Sequence, residues 1–321
     1  LRFHVYAPQV SYVDAMEWRV FASDSEKATA FREGAADVAG CRDRREADEL
    51  GGIAGTVIVE EPSLSWTSIG LRVDKPPFDD PRVRRAIDIA LDRNAMIAIA
   101  AEGGGEVAGP VNPHLGGGFW SLPAEEILAA QGGDSLDERR TEARSLLDAA
   151  GAASATIKLQ VAEVPELLDL MGIVREQLGA AGLTVDIEPL PLIEWFYNYR
   201  SGTFDATLIS HPPYESPDSS LRLYHSAGGD GTGNQFGFKD LAIDALIERS
   251  WGETDRTARQ DAVLRAQRQM IEARPLVHLF TGTAYTAARS YVHESGLELP
   301  GSLSRYHYTQ WLDLPVEGRL D

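Results

Sequence analysis

The sequence predicts an α/β protein with room for two domains, and three observations carry that reading. Short alternating or β-branched stretches exchange with amphipathic helical ones along most of the chain, the pattern of a sheet covered by helices. The stretch DDPRVRRAIDIALDR, residues 79–93, places a capped helix directly after the proline-stiffened KPPF of residues 75–78, as at a domain entrance. The length, 321 residues, is enough for two hydrophobic cores.

The elements follow in order. Residues 16–22 alternate loosely and read as a strand. Residues 25–32 read as a short helix ending at Gly34. Residues 56–59 and 68–73 read as two strands. Asp80 is a good N-cap and Pro81 suits the first helical position; Val83, Ile87, Ala90 and Leu91 then share one face. Asp92 caps a second helix through Met96, Ile97 and Ala100, ended by glycines 103–105. Residues 103–118 read as a long Gly/Pro-rich loop. Residues 136–150 form a helix stopped by Gly151, Ile157, Leu159 and Val161 alternate as a strand, and residues 165–181 form a helix ended by Gly182. Val185 and Ile187 alternate again, residues 193–200 are helical, and residues 204–209 form a strand. Helices over 239–250 and 254–274 follow, the second broken by Pro275, and residues 276–287 are extended.

Composition excludes several classes. Thirty basic side chains stand against 49 acidic ones, a net charge of −19, so a nucleic-acid partner is not expected. No apolar run has the length of a membrane span. Cys41 is the sole cysteine, which precludes an intrachain disulfide and fits either the cytosol or an exported protein; a small buried hydrophobe is the expected role. The chain opens at Leu1 without an initiator Met, so its natural N-terminus is expected to have been cut, processed or left out. The seven histidines include no pair at helical metal-ligand spacing, and there is no HExxH, P-loop, GxGxxG after a strand or GxSxG elbow. No catalytic group, metal site or cofactor is expected.

Several stretches resemble, in collinear order, the family-5 extracytoplasmic solute-binding proteins, the peptide-, dipeptide- and nickel-type receptors of ABC importers. They are YVDAMEWRV (12–20), FREGAADVA (31–39), KPPFDDPRVRRAIDIALDR (75–93), EARSLLDAAG (142–151), QLGAAGL (177–183) and GTFDA (202–206). The resemblance implies a periplasmic-binding-protein-like (type II, cluster C) bilobal α/β architecture with most of the N-terminal lobe missing. Residues 1–66 and 288–321 would belong to lobe I and residues 67–287 to lobe II, with crossovers over 68–78 and 280–289. It further implies a small-molecule or oligopeptide solute held between lobes, delivery to an ABC permease in the membrane, an extracytoplasmic location and a monomer. A chain lacking one wall of its cleft is expected to bind weakly or not at all.

Candidate contacts come from the same resemblance. The loop SHPPYESPD, residues 210–218, lies where peptide-binding members carry an aromatic residue and an aspartate that holds the peptide α-ammonium. Alignment on Pro217 puts Pro213 at the aspartate, so the anchor is missing unless Glu215 or Asp218 replaces it. His211 falls near the aromatic; the alternative is that His211 and Tyr214 simply pack the loop. Arg72 stands at the first crossover, where relatives often have asparagine. It would hold a ligand acid or, as the acid-rich composition favours, pair with Glu215 or Asp218. Trp66, Phe119 and Trp120 could stack on a sugar or apolar side chain, whereas Trp195 and Trp251 are expected to pack. Asn234 and Phe236 either line the cleft or shape a loop. A peptide-like solute leads, an oligosaccharide or other non-peptide solute follows, and a nickel chelate held by His211 and His225 comes third. The rival class is an enzyme or chaperone on the same scaffold, for which the sequence offers no nucleophile–base pair.

Overall fold

A computed structural model describes residues 2–3, 16–133, 135–228, 233–293 and 311–312. The chain divides into two compact units, Leu1–Ser63 with Thr283–Asp321, and Leu64–Gly282.

In the first unit, β1 (Arg2–Phe3) pairs with β2 (Met16–Glu17). The strand read over 16–22 is thus confined to its first two residues. Helix α1 (Asp24–Arg32) is capped by Ser23, whose hydroxyl accepts from Glu26 N. Strand β3 (Val38–Cys41) and helix α2 (Arg44–Gly51), capped by Asp43, were not anticipated. Ala28, Phe31, Ala39, Leu50 and Ala287 form the core here, with Cys41 half-buried beside them. Two long strands run on from this unit into the other, β4 (Thr56–Leu71) and β9 (Leu276–Arg289). β3 pairs antiparallel with the far end of β9, and β10 (Val292–His293) pairs with β11 (Trp311–Leu312).

β4 replaces the two strands expected at 56–59 and 68–73. Glu60, Glu61 and Pro62 argue for a break, yet the ladder with β8 (Ala206–His211) covers only Trp66–Leu71, so Pro62 meets no β8 donor. The passage between units falls at Ser63–Leu64, earlier than the crossover expected over 68–78. Pro76 and Pro77 therefore lie within the second unit.

The second unit is a three-layer α/β/α arrangement. Its sheet runs β9-β4-β8-β6-β7, with β6 (Thr156–Ala162) and β7 (Thr184–Leu190) added beside β8. β6 is parallel to both β7 and β8, whereas β4 is antiparallel to β8. β5 (Gly105–Val107) pairs antiparallel with β9 inside the stretch read as loop. A Cβ on Gly105 would stand 2.6 Å from Thr281 O, so glycine is required for this approach.

Opposite faces bury different helices. One face is covered by α3 (Pro81–Ala90), α4 (Arg93–Ala100), α6 (Leu136–Ala149) and α7 (Pro165–Ala180), through Val83, Ile87, Met96, Leu147, Met171 and Val174. The short α5 (Ala124–Ala129) adds Ile127. The other face is covered by α10 (Leu241–Gly252) and α11 (Arg256–Ala273), with Trp195 and Tyr199 of α8 (Leu192–Ser201) packed against the same core. Helix α9 (Pro217–Leu221) contributes Leu221.

A buried ion cluster ties the first of these faces together. Asp88 accepts from Arg93 Nη2 and, at 2.8 Å, from Arg274 Nε. Arg93 Nε donates to His278 O at 2.6 Å, and Arg274 Nη2 to Ala130 O at 3.0 Å. Burial alone would push the Asp88 carboxyl up, but Arg93 and Arg274 overcome it and hold it below the usual carboxylate range.

Candidate functional site

The topology points to one edge of the second unit. The chain goes from β6 through α7 to β7 on one side, then through α8 to β8 on the other, and α7 and α8 cover opposite faces. Strand order therefore reverses between β6 and β8. In open α/β sheets ligands bind beyond the carboxyl ends of the strands at such a switch point. Here that edge carries Glu163 and Val164 after β6, and Pro212, Pro213 and Tyr214 after β8. Trp66 of the antiparallel β4 stands directly across from His211, the last residue of β8.

These side chains make an aromatic shelf. The Trp66 and His211 rings stack at 4.6 Å and 17°, and Tyr214 meets Trp66 edge-on at 5.2 Å. Trp66 and His211 are each 1% exposed, and Tyr214 is half-buried. Ser68 lies on the same face of β4 as Trp66, two residues on, and its hydroxyl is 2.6 Å from His211 Nε2. Burial depresses the His211 pKa to about 3, so the ring is neutral. Tyr224 OH lies 2.6 Å from His278 Nε2, and burial and His211 lower the His278 pKa well below its ordinary value. Burial raises the Tyr214 and Tyr224 phenols.

Two other candidates, Asp218 and Trp120, are bound to α11. Asp218 takes both its oxygens to Arg259 Nη2, at 2.8 and 2.7 Å. The Arg259 guanidinium lies 5.3 Å from the Trp120 ring, and that of Arg256 4.2 Å from Phe119. Gln260 and Gln267 donate to the carbonyls of Phe119 and Trp120 at 2.7 Å. Trp120 is thus held as an aromatic face under a guanidinium. Glu215 is exposed on the loop between Tyr214 and Asp218.

Arg72 and Asn234 belong to the opposite edge. Arg72 N donates to Asp205 O, just before β8 begins, roughly 20 Å of strand from His211. Its guanidinium grips both oxygens of Asp74, at 2.8 and 2.7 Å, and donates from Nη1 to Gly202 O at the end of α8. The expected salt bridge with Glu215 or Asp218 is therefore corrected in its partner: Arg72 pairs with Asp74, two residues on, and Asp218 is taken by Arg259. Asn234 accepts from Phe236 N and Phe238 N at 3.1 and 3.3 Å and donates to Phe238 O at 2.5 Å, which fixes its loop. Phe236 packs over Gly70, where a Cβ would meet the ring at 2.4 Å. His225 stacks on Trp251 at 5.1 Å and lies 3.3 Å from Glu248. Trp195 donates to Thr207 Oγ1 at 2.9 Å and stacks on Tyr199.

Ser68, Tyr224 and His278 escape a sequence reading because their partners lie on other strands and loops. The one local signal is the i, i+2 pairing of Trp66 and Ser68 on a strand face. Among the described residues no group of three or more His, Cys, Asp or Glu side chains could hold a metal ion. Among them, too, no helix is long and apolar enough to cross a membrane.

Residues 2–233 match the family model of bacterial extracellular solute-binding proteins, family 5 middle. The oligopeptide-binding protein AppA of Bacillus subtilis (strain 168) is 25% identical over 278 residues, covering 80% of this chain and 47% of that one. In structure the chain resembles the periplasmic binding protein DppA from Helicobacter pylori in complex with the peptide STSA, with a TM-score of 0.79, 20% identity, and 96% and 59% of the two chains covered. It also resembles MoaA in complex with mannopinic acid from A. tumefaciens R10, with a TM-score of 0.73, 20% identity, and 94% and 61% covered. At these identities the structural likenesses establish the fold alone. The chain spans about half the length of the curated relatives it matches, from 42% to 47% of each. With 232 of its 321 residues inside the family model, the chain belongs to the bacterial extracellular solute-binding proteins, family 5.

Proposed function

We propose that the complete protein is an extracytoplasmic receptor of an ABC importer, which binds a peptide-like solute at the carboxyl edge of the β6–β8 sheet and hands it to a membrane permease. The observation that carries the reading is the half-buried Tyr214 ring, backed by the buried Trp66–His211 stack, at the strand-order reversal of a family-5 chain. The peptide class is favoured by the oligopeptide-binding relative. A non-peptide solute is the second reading, favoured by the mannopinic acid complex of a similar fold and by the aromatic shelf itself.

A non-catalytic role is supported by the chemistry of the shelf. Ser68 and His211 are a serine–histidine pair at hydrogen-bond distance, yet a base with a pKa of about 3 cannot take the serine proton near neutrality. Native mass spectrometry of the complete natural protein purified from its host tests the receptor reading. A co-purifying small solute that leaves on denaturation, with no turnover on ester, peptide and glycoside panels, is the expected result. Turnover on any panel, abolished in Ser68→Ala, would replace it with an enzyme.

A further inference from the structure

We propose that Arg256 anchors a carboxylate of the bound solute, its exposed guanidinium held on the ring of Phe119 at the carboxyl edge of the second unit. This rests on the reading of the complete protein as a peptide-like solute receptor, and for a peptide the group held is the C-terminal acid.

The position follows from chain direction. Leu71 N donates to Pro275 O, and Leu71 stands opposite Ala206, so α11 ends level with the start of β8. Its 18 residues rise about 27 Å, more than the length of β8, which carries the first turn toward the carboxyl edge. Arg259 in that turn grips both oxygens of Asp218, in the segment just after Tyr214.

The Gly-rich loop supplies the ring. Gly116, Gly117 and Gly118 take φ of 62°, 68° and 83°, and a Cβ on Gly116 would stand 2.9 Å from the Trp120 ring. The loop sets Phe119 edge-on to Trp120 at 4.7 Å and 89°. Gln260 and Gln267 of α11 fix the carbonyls of these two residues at 2.7 Å. Phe119 is thus braced by contacts of its own, and the Arg256 guanidinium lies 4.2 Å from its ring centre.

Packing and pairing do not account for Arg256. It is exposed, and among the described residues no carboxylate lies within ion-pair distance of it, in a chain with 49 acids. It opens α11, where the helix dipole favours acids and disfavours a cation, and the first turn carries no acid. A cation–π contact orders the side chain but supplies no hydrogen-bond acceptor, so the N–H fork stays open to an anion. Its neighbour Arg259 is already committed to Asp218. A carboxylate matches the fork in a planar, bidentate way. Glu163 and Glu194, exposed just past β6 and β7, repel an acid from the far side of the switch point and so favour the α11 side. A phosphate would bring more negative charge into a chain of net charge −19.

Calorimetry on the complete natural protein tests this with Ala-Phe-Ala and Ala-Phe-Ala-Phe-Ala, each as the free acid and as the C-terminal amide. The acids are expected to bind at least about tenfold more tightly than the amides. Arg256→Gln should erase that preference by weakening the acids alone, leaving the amides within about twofold and the thermal midpoint unchanged. Arg256→Lys, which keeps the charge without the fork, should retain part of the preference. Equal binding of acid and amide, a preference that survives Arg256→Gln, or a loss shared equally by acids and amides in that variant would each overturn the inference. Failure of all four probes to bind would instead overturn the peptide-like reading and take this inference with it.

Discussion

Two buried polar groups stand on opposite faces of one sheet in the Leu64–Gly282 unit, and they are built on different terms. Behind α3 and α4, Asp88 is gripped by Arg93 and Arg274, and the remaining guanidinium donors reach the carbonyls of His278, Ala130 and Glu272. On the other face, Ser68, His211, Tyr224 and His278 are neutral, and the Trp66 Nε1 and His278 Nδ1 atoms are buried without a partner among the described residues. β9 serves both: the His278 carbonyl takes Arg93 while its ring takes Tyr224. A charged cluster in which each carboxylate oxygen and each guanidinium nitrogen has a partner is built to hold structure. An under-satisfied neutral cluster keeps capacity for a ligand, at some cost in stability.

The largest test of this contrast removes the anion. Asp88→Ala leaves two buried guanidiniums without their acid and is expected to lose about 3–5 kcal/mol in denaturant unfolding. A loss below about 1 kcal/mol would mean that the cluster is not the scaffold described here.

Acid separates the two groups next. His211 is buried neutral with a pKa near 3 against an ordinary 6.5, so below pH 6.5 the unfolded chain binds the extra proton. Stability therefore falls as pH drops from 6.5 toward 3, by up to about 1.4 kcal/mol per pH unit for this ring, and His278 adds to it in the same direction. Asp88, held below its usual range, contributes stability that is present above the ordinary carboxylate pKa and lost only as pH falls through its own lower value. Denaturation curves from pH 7 to 4.5 should thus decline through the histidines, and His211→Phe should flatten the decline. An unchanged slope in that variant would separate the acid response from the shelf.

A smaller effect is expected at the opposite edge. Arg72→Ala removes the staple between Asp74 and the end of α8 and should lose about 1–2 kcal/mol, read as a lower thermal midpoint. No change in that midpoint would show the guanidinium to be a solvated surface group.

Much of this was legible locally. The Asp80 carboxylate accepts from Arg82 N at 2.8 Å and Asp92 from Ala95 N at 3.1 Å, as N-cap chemistry and Pro81 indicate. The helices over α6, α7, α10 and α11 follow from periodicity and their terminators. What escaped depends on distant partners. β5 is three residues long and exists because Gly282–Phe280 of β9 lies beside it. Trp66, His211 and Tyr214 could be singled out, but Ser68 lies 143 residues from His211 and Tyr224 lies 54 from His278. Arg72 makes the salt bridge that the composition favours but with Asp74 rather than Glu215 or Asp218, because a residue one step past a strand can face either edge, and only the direction of β8 against β4 decides which.

The contrast between edges is most directly tested by solute affinity of the complete natural protein, measured by calorimetry for Tyr214→Ala beside Arg72→Ala, with the native solute identified by mass spectrometry. Tyr214→Ala should weaken binding at least about tenfold with little change in thermal midpoint, while Arg72→Ala should lower the midpoint and leave affinity within about twofold. The reverse pattern, affinity lost with Arg72 and kept without Tyr214, would place the solute at the amino edge of β8 and contradict the account.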